Sequence, residues 1–158
     1  MKTATTTNLI IALVLTSLAP GAAIADDKDD VTALVMSYAN LEGNLVEQAK
    51  LIRSDRIMIT NVRQTDQAKN LEIQLAARKA NNDNNGGPAK WITEVEGLQV
   101  RVYGNAAVAS MVRRFHIYPP GAAPINSPPH WLTLVLVKEG RSWGIAHSHI
   151  SPTFQPPN

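Results

Sequence analysis

The first half of the chain alternates between helix-like and strand-like spacing of its apolar residues. Over residues 29–41 these side chains recur at the period of an amphipathic helix, and an acidic cluster just ahead of them suits a helix N-terminus. A short second helix is predicted before a strand over residues 56–62, which is rich in β-branched side chains. The pattern turns helical again over residues 65–80, where Thr65 or Asp66 can cap the first turn.

The second half is β-rich and contains four long segments in which apolar and polar residues alternate. Gly104 and Gly140 mark tight turns between neighbouring segments, which predicts antiparallel hairpins. Gly97 lies inside the first segment, where a glycine is typical of a bulge. The proline-rich stretch 119–129 cannot continue a strand and is predicted to be a stiff loop. The four predicted strands cover residues 90–104, 106–118, 130–140 and 142–150.

Helices that precede a run of strands are typical of an α+β domain. We therefore predict N-terminal helices packed on one face of a strongly curved antiparallel sheet. The size of the chain, 158 residues, favours one domain with a substantial core.

Residues 1–25 have the layout of a secretory signal peptide. Lys2 precedes an apolar run, and small residues then lead to an A-x-A pattern that ends at Ala25. The apolar run is too short to span a bilayer, so we expect no membrane association after the signal is removed. We expect cleavage after Ala25, a periplasmic or secreted protein, a single domain over residues 26–152 and a flexible tail over residues 153–158.

Charge and cysteine content narrow the classes of partner. The formal charge is +2, and removal of residues 1–25 takes away one lysine and no acid. A nearly balanced chain gives no electrostatic reason to expect nucleic acid or an anionic membrane as a partner. The absence of cysteine excludes disulfides, thiolate metal ligands and a cysteine nucleophile.

The stretch "WGIAHSHIS", residues 143–151, carries two histidines separated by one residue. Strand alternation places His147 and His149 on the same face as Trp143 and Ile145, which suits a pocket wall that becomes polar towards its mouth. The alternative is a solvated strand end. No third ligand stands at a recognisable spacing, so we predict neither a metal site nor a cofactor.

Arg113 and Arg114 lie in the middle of an otherwise apolar strand. Neighbouring residues on a strand point to opposite faces, so one of the two arginines faces the helix-covered side and needs a partner there. That partner is either the carboxylate of a ligand or, across the sheet, Glu94 or Glu96.

Three stretches together resemble the nuclear transport factor 2-like superfamily, whose members are also called SnoaL-like or cystatin-like α+β cones. They are "EGNLVEQAKLIRSDRIMITN", "WITEVEGLQVRVYGNAAVASMVRRF" and "WGIAHSHIS", and the resemblance covers residues 29–152. The closing stretch is similar to the last strand of the calcium/calmodulin-dependent kinase II association domain. The resemblance implies a cone-shaped sheet around a pocket and dimers formed through the outer sheet face.

The resemblance implies a binding function without fixing a reaction, since the superfamily includes isomerases, dehydratases, hydrolases and assembly modules. We expect a homodimer that binds a small apolar or carboxylated ligand. An acid–base enzyme with an Asp or His in the same pocket, or a pure assembly module, remains an alternative. Asp55, Asp66 and Glu94 belong to no motif that names a reaction, so no catalytic residue is assigned. The expected ligand-binding residues are Tyr38, Trp91, Arg113, His147 and His149.

Overall fold

A computed structural model describes the backbone over residues 20–60 and 63–153, with side chains from Asp27 onward. Within these ranges the chain forms three α-helices, a short 3-10 helix and a single sheet. The helices are α1 (Pro20–Asn40), α2 (Leu45–Ala49) and α3 (Gln67–Asn84), and the 3-10 helix is Leu41–Gly43. The strands are β1 (Ile52–Thr60), β2 (Arg63–Asp66), β3 (Lys90–Tyr103), β4 (Ala106–Tyr118), β5 (Ile125–Asn126), β6 (His130–Glu139) and β7 (Ser142–Pro152).

The strands form one curved sheet in the order β2-β1-β7-β6-β4-β3, with β5 beside β4. All neighbouring strands are antiparallel except β1 and β7, which run parallel and join the two halves of the chain. The predicted α+β class, with N-terminal helices on a curved sheet, is confirmed. No helix in the described ranges is long and apolar enough to cross a bilayer.

The core lies between α1 and the inner face of the sheet. Val31, Val35 and Tyr38 recur at helical spacing and form the buried stripe of α1. Opposite them, every second residue is buried over residues 107–113 of β4 and 132–136 of β6, as alternation requires for a sheet covered on one side. The sheet residues of this core are Val100, Ala107, Ala109, Met111, Leu132, Leu134, Leu136, Trp143 and Ile145.

Helix α1 begins earlier than predicted. It starts at Pro20, so the acidic cluster lies inside the helix and not at its N-terminus. Alanines between Pro20 and the acidic cluster favour this extension. Most of the predicted signal peptide, residues 1–19, lies outside the described residues, and cleavage after Ala25 stays a prediction.

Asp27 ties α1 to the end of the sheet. Its Oδ1 accepts hydrogen bonds from Lys138 Nζ and, at 3.3 Å, from Trp143 Nε1. The hydrogen bond from Lys138 lowers the pKa of Asp27, and Trp143 adds to the effect against a smaller opposing effect of burial.

The predicted helix cap and the predicted bulge are both confirmed, whereas the end of α3 is shifted. Asp66 caps α3, since its Oδ1 accepts from Lys69 N at 2.7 Å. Gly97 has a φ of 62° where the pairing of β3 with β4 slips, which confirms the predicted bulge. The helix predicted over residues 65–80 ends later than expected, because α3 continues to Asn84.

A second bulge, in β7, reverses which residues face the helices. Val135 pairs with His147 and the next residue, Leu136, pairs with Ile145, which leaves Ala146 as the extra residue. The side chains after Ala146 therefore exchange faces relative to simple alternation. Ser148 is fully buried on the inner side, and the two histidines that flank it point outward.

The proline-rich loop is more ordered than its sequence predicts. It contains β5, and Phe115 N donates to Ser127 Oγ at 2.8 Å. Gly121 N also donates to Asn85 O at 2.9 Å, which fastens the loop to the end of α3. Of the predicted flexible tail, Thr153 bonds to Pro129 O, and residues 154–158 lie outside the described residues.

Candidate functional site

A buried carboxylate lies between two arginines at the open end of the space enclosed by the helices and the sheet. Glu42, in the 3-10 helix after α1, accepts from Arg78 Nη2 on Oε1 at 2.9 Å and from Gln48 Nε2 on Oε2 at 3.0 Å. Arg113 Nη1 lies 3.7 Å from Glu42 Oε2. Residues from three distant parts of the chain therefore meet at one acid.

Two aromatic rings complete this cluster. The Arg78 guanidinium carbon lies 3.4 Å from the centre of the Trp91 ring, and that of Arg113 lies 4.5 Å from the centre of the Phe115 ring. The two rings meet edge to face, with centroids 5.8 Å apart. Glu42, Arg78, Trp91, Phe115 and Arg113 thus form a closed circuit of contacts, here called the arginine–aromatic circuit.

The two arginines of the circuit differ in how many of their N–H groups have a hydrogen-bond partner. Arg78 both stacks on Trp91 and donates to Glu42, and burial lowers its pKa while Glu42 raises it. Arg113 is only 6% exposed, yet its Nε and Nη1 have no hydrogen-bond partner among the described residues. Because buried N–H groups are almost always paired, Arg113 is the less completely hydrogen-bonded cation of the circuit.

An open cleft of about 250 Å³ lies against the circuit. Its remaining walls come from α3 and β4, through Ala77, Asn81 and Ile117 among others. Pro119 and Ile125 of the proline-rich loop border a smaller neighbouring cleft that shares Trp91. The loop therefore forms a lip at this end of the sheet, as its sequence position suggests.

A third arginine lies deeper in the interior. Arg56 is 1% exposed, and its Nη1 donates to Ser148 Oγ at 3.3 Å. Burial lowers the pKa of Arg56, contact with the Tyr38 side chain raises it, and the nearby charge of Arg113 lowers it further. Its Nε and Nη2 have no hydrogen-bond partner in the described part of the chain.

The structure brings some of the predicted site residues together and separates others. Trp91 and Arg113 line the same cleft, and Tyr38 is buried beside Arg56. His147 and His149 lie on the outer face of the sheet, away from the cleft. Their predicted alignment with Trp143 is wrong, because the bulge at residue 146 reverses the alternation.

The two adjacent arginines point to opposite faces of the sheet and have different partners. Arg113 faces inward and contacts Glu42, which the sequence did not indicate as a partner. Arg114 faces outward, and its Nη1 lies 3.6 Å from Glu96 Oε1. The pairing across the sheet therefore belongs to Arg114, and Arg113 is the arginine that faces the cleft.

The acids considered for acid–base chemistry lie elsewhere. Asp55 accepts from Arg53 at 2.9 Å on the surface, and Asp66 caps α3. Glu94 is on the outer sheet face, where its Oε2 lies 3.2 Å from His116 Nε2. Within the described ranges, no three histidine or acidic side chains converge as metal ligands would.

His116 joins three strands on the outer face. Its Nδ1 lies 2.8 Å from Asn126 Oδ1 on β5, and its Nε2 faces Glu94 on β3. The hydrogen bond with Asn126 and then that with Glu94 raise the pKa of His116, while burial and the neighbouring Arg114 oppose this. The protonated ring can donate from both nitrogens, so protonation strengthens the attachment of β5.

Three residues of the interior were not predicted as site residues: Glu42, Arg56 and Arg78. Arg56 was detectable, because it shares a strand face with the buried Met58, and a charge on such a face needs an explanation. Arg78 follows the helical stripe of α3 but reads equally well as a solvated side chain. Glu42 carries no local signal at all.

Comparison with known proteins agrees with this architecture. A model of the SnoaL-like domain matches residues 64–155. No curated protein matches the sequence.

Several solved structures share the fold. An NTF2-like protein with a cystatin-like fold from Novosphingobium aromaticivorans is 13% identical, with a TM-score of 0.66 over 87% of this chain and 91% of that chain. ActVI-ORFA from Streptomyces coelicolor is 10% identical, with a TM-score of 0.63 over 78% and 95%. The CaMKII hub homology domain of Chlamydomonas reinhardtii is 18% identical, with a TM-score of 0.62 over 84% and 98%. These matches confirm the resemblance stated from the sequence, at the level of fold. Since the family model covers more than half of the residues, the chain belongs to the SnoaL-like domain family.

Proposed function

We propose that this protein binds a small molecule with one carboxylate and an apolar body in the cleft beside the arginine–aromatic circuit. The observation that carries the proposal is that Arg113 is buried beside the cleft and incompletely hydrogen-bonded. Its guanidinium is buried, lines the cleft and keeps two nitrogens without a hydrogen-bond partner among the described residues. A carboxylate in the cleft would offset the positive charge of Arg113, since carboxylates and guanidinium groups form strong charge-assisted contacts.

The remaining walls suit the apolar part of such a ligand. Trp91, Phe115 and Ile117 line the same cleft as Arg113 with two aromatic rings and an aliphatic side chain. Its volume of about 250 Å³ lies at or below the lower end of typical ligand pockets, which run from roughly 300 Å³ upward. The ligand is therefore of the size of a single substituted ring or a short acyl chain.

The hydrogen bonds that Glu42 already accepts favour a binding function over acid–base catalysis. Both oxygens of Glu42 already accept hydrogen bonds, one from Arg78 and one from Gln48. A general base needs a free oxygen within reach of the proton that it removes. Glu42 is instead arranged as a fixed counter-ion for the arginines.

The test compares benzoate with benzamide, which have similar shapes and differ in charge. Titration calorimetry should show that benzoate binds and that benzamide binds at least about tenfold more weakly. Arg113→Met, which keeps much of the side-chain stem, should abolish this preference. Arg114→Met is the matched control, because the neighbouring arginine faces outward and should leave benzoate binding unchanged.

Two results would overturn the proposal. One is equal binding of benzoate and benzamide to the unmodified protein. The other is unchanged benzoate binding in Arg113→Met, once circular dichroism has shown that the variant is folded.

We also propose a homodimer formed through the outer face of the sheet. Among the large apolar side chains exposed on this face are four that a partner subunit could bury. They are Ile57 (45% exposed), Ile92 (41%), Tyr103 (66%) and Trp131 (49%). Native mass spectrometry should find a dimer and Trp131→Glu should give a monomer, whereas a monomeric unmodified protein would exclude this proposal.

Export is the remaining part of the proposed function. We propose that residues 1–25 are removed as a signal peptide and that the mature protein works in the periplasm or outside the cell. N-terminal sequencing of protein from the exported fraction should begin at Asp26. Protein found only inside the cell with an intact N-terminus would contradict it.

A further inference from the structure

We infer that Glu42 makes the cleft selective for ligands with a single carboxylate and excludes dicarboxylates. This inference rests on the proposed function, because it concerns the ligand class of the same cleft. Its basis is the number of charges that line the cleft and the way in which each is already bound.

The charges at the cleft wall leave one cation for a ligand. Arg78 and Arg113 contribute two positive charges, and Glu42 contributes one negative charge. Arg78 donates to Glu42 at 2.9 Å, whereas Arg113 only approaches it at 3.7 Å and keeps unpaired N–H groups. Glu42 therefore neutralises Arg78, and Arg113 remains for one carboxylate of a ligand.

The side chain of Glu42 is held in place and cannot move away from the second carboxylate of a ligand. Arg78 holds one of its oxygens, and Gln48 holds the other at 3.0 Å. Its side chain is only 8% exposed, so water screens its charge poorly. A first carboxylate is attracted by the positive charge of Arg113, whereas a second one in the same cleft meets a fixed negative charge and no further cation. Such a like-charge contact is an effective means of rejecting a competing ligand.

Removing the charge of Glu42 should therefore change the ligand class and not only the affinity. Glu42→Gln keeps the shape of the side chain and one oxygen that can accept from Arg78 or Gln48. It also releases Arg78 as a second cation beside Arg113. A dicarboxylate then finds two guanidinium groups and no repelling charge.

Calorimetric titration with benzoate, isophthalate and terephthalate tests this inference, since the two dicarboxylates direct their second group differently. The unmodified protein should bind benzoate at least about tenfold more tightly than either dicarboxylate. Glu42→Gln should remove or reverse that preference for at least one of them. Glu47→Gln is the matched control, because this exposed glutamate pairs with Lys50 and carries the same charge change.

Arg78→Met provides a second variant should Glu42→Gln fail to fold. Without Arg78, Glu42 would neutralise the charge of Arg113 instead. Benzoate binding should therefore weaken by about tenfold. Unchanged benzoate binding in this variant would contradict the division of roles between the two arginines.

The outcomes separate the two proposals. If benzoate binding requires Arg113 but the unmodified protein accepts dicarboxylates equally well, the inference about Glu42 is wrong and the proposed function stands. The same holds if Glu42→Gln folds and leaves the preference unchanged. If benzoate does not bind the unmodified protein, both proposals fail.

Discussion

Replacing Arg56 by methionine should stabilise the fold. Arg56 is 1% exposed, makes one long hydrogen bond, to Ser148 Oγ at 3.3 Å, and contacts the Tyr38 side chain. Its Nε and Nη2 carry three N–H groups without a partner among the described residues. Methionine has a similar length, fits an irregular apolar interior and has no donors to leave unpaired.

The expected gain follows from these contacts. Replacing a buried charge by an apolar side chain of similar size stabilises proteins by up to about 4 kcal/mol, because the cost of removing the charge from water disappears. The loss of the donor to Ser148 offsets about 1 kcal/mol of this gain. A net gain of about 1–3 kcal/mol remains, which for a chain of this size raises the melting temperature by roughly 3–10 °C.

Calorimetric and chemical unfolding of Arg56→Met measure this difference, with Arg53→Met as the matched control on the same strand. Arg53 contacts Asp55 at 2.9 Å and Glu139 at 2.5 Å near the surface, so its loss should cost less than about 1 kcal/mol. A lower melting temperature for Arg56→Met would refute the reasoning. It would show that the Arg56 guanidinium has a strong partner in solution, such as a bound anion.

Three further predictions concern the loop, the outer sheet face and α1. Gly121→Ala should destabilise the fold by about 1–3 kcal/mol and speed proteolysis of the loop, because its Cβ would lie 2.8 Å from Asn85 O; unchanged proteolysis would contradict the attachment. His116→Gln should lower the melting temperature at about pH 5 and have little effect at about pH 9, because stabilisation by a raised pKa is complete below the ordinary value of 6.5 and disappears as pH rises through the folded-state pKa. Equal losses at both pH values would contradict that protonation matters. Asp27→Asn should destabilise at neutral pH and have no effect in strong acid, because stabilisation by a lowered pKa is present above the ordinary value of 3.8 and disappears as pH falls through the folded-state pKa. Thermal melts followed by circular dichroism test this, and an equal loss at both pH values would contradict it.

The long strands were predictable because each carries its own signal. Alternation and the turns at Gly104 and Gly140 located β3, β4, β6 and β7 to within about two residues. The pairing of β1 with β7 had no local signal, since it joins segments about ninety residues apart in sequence. The four-residue β2 was missed for a related reason, because it is mostly exposed and shows no alternation.

The candidate site was only partly predictable, because its geometry depends on a bulge and on long-range contacts that the sequence pattern does not reveal. Arg113 could be selected, since a charge within an apolar strand needs a partner on whichever face it occupies. The predicted alignment of His147 and His149 with Trp143 failed because of a single unpaired residue, which moved both side chains to the opposite face. Glu42 could not be found, because its role arises only when the 3-10 helix, α3 and β4 meet. Yet Glu42 contributes the negative charge at the cleft wall, since it accepts a hydrogen bond from Arg78 and lies 3.7 Å from Arg113. The sequence thus indicates that a buried positive charge is present, whereas the fold determines how much of that charge a ligand can use.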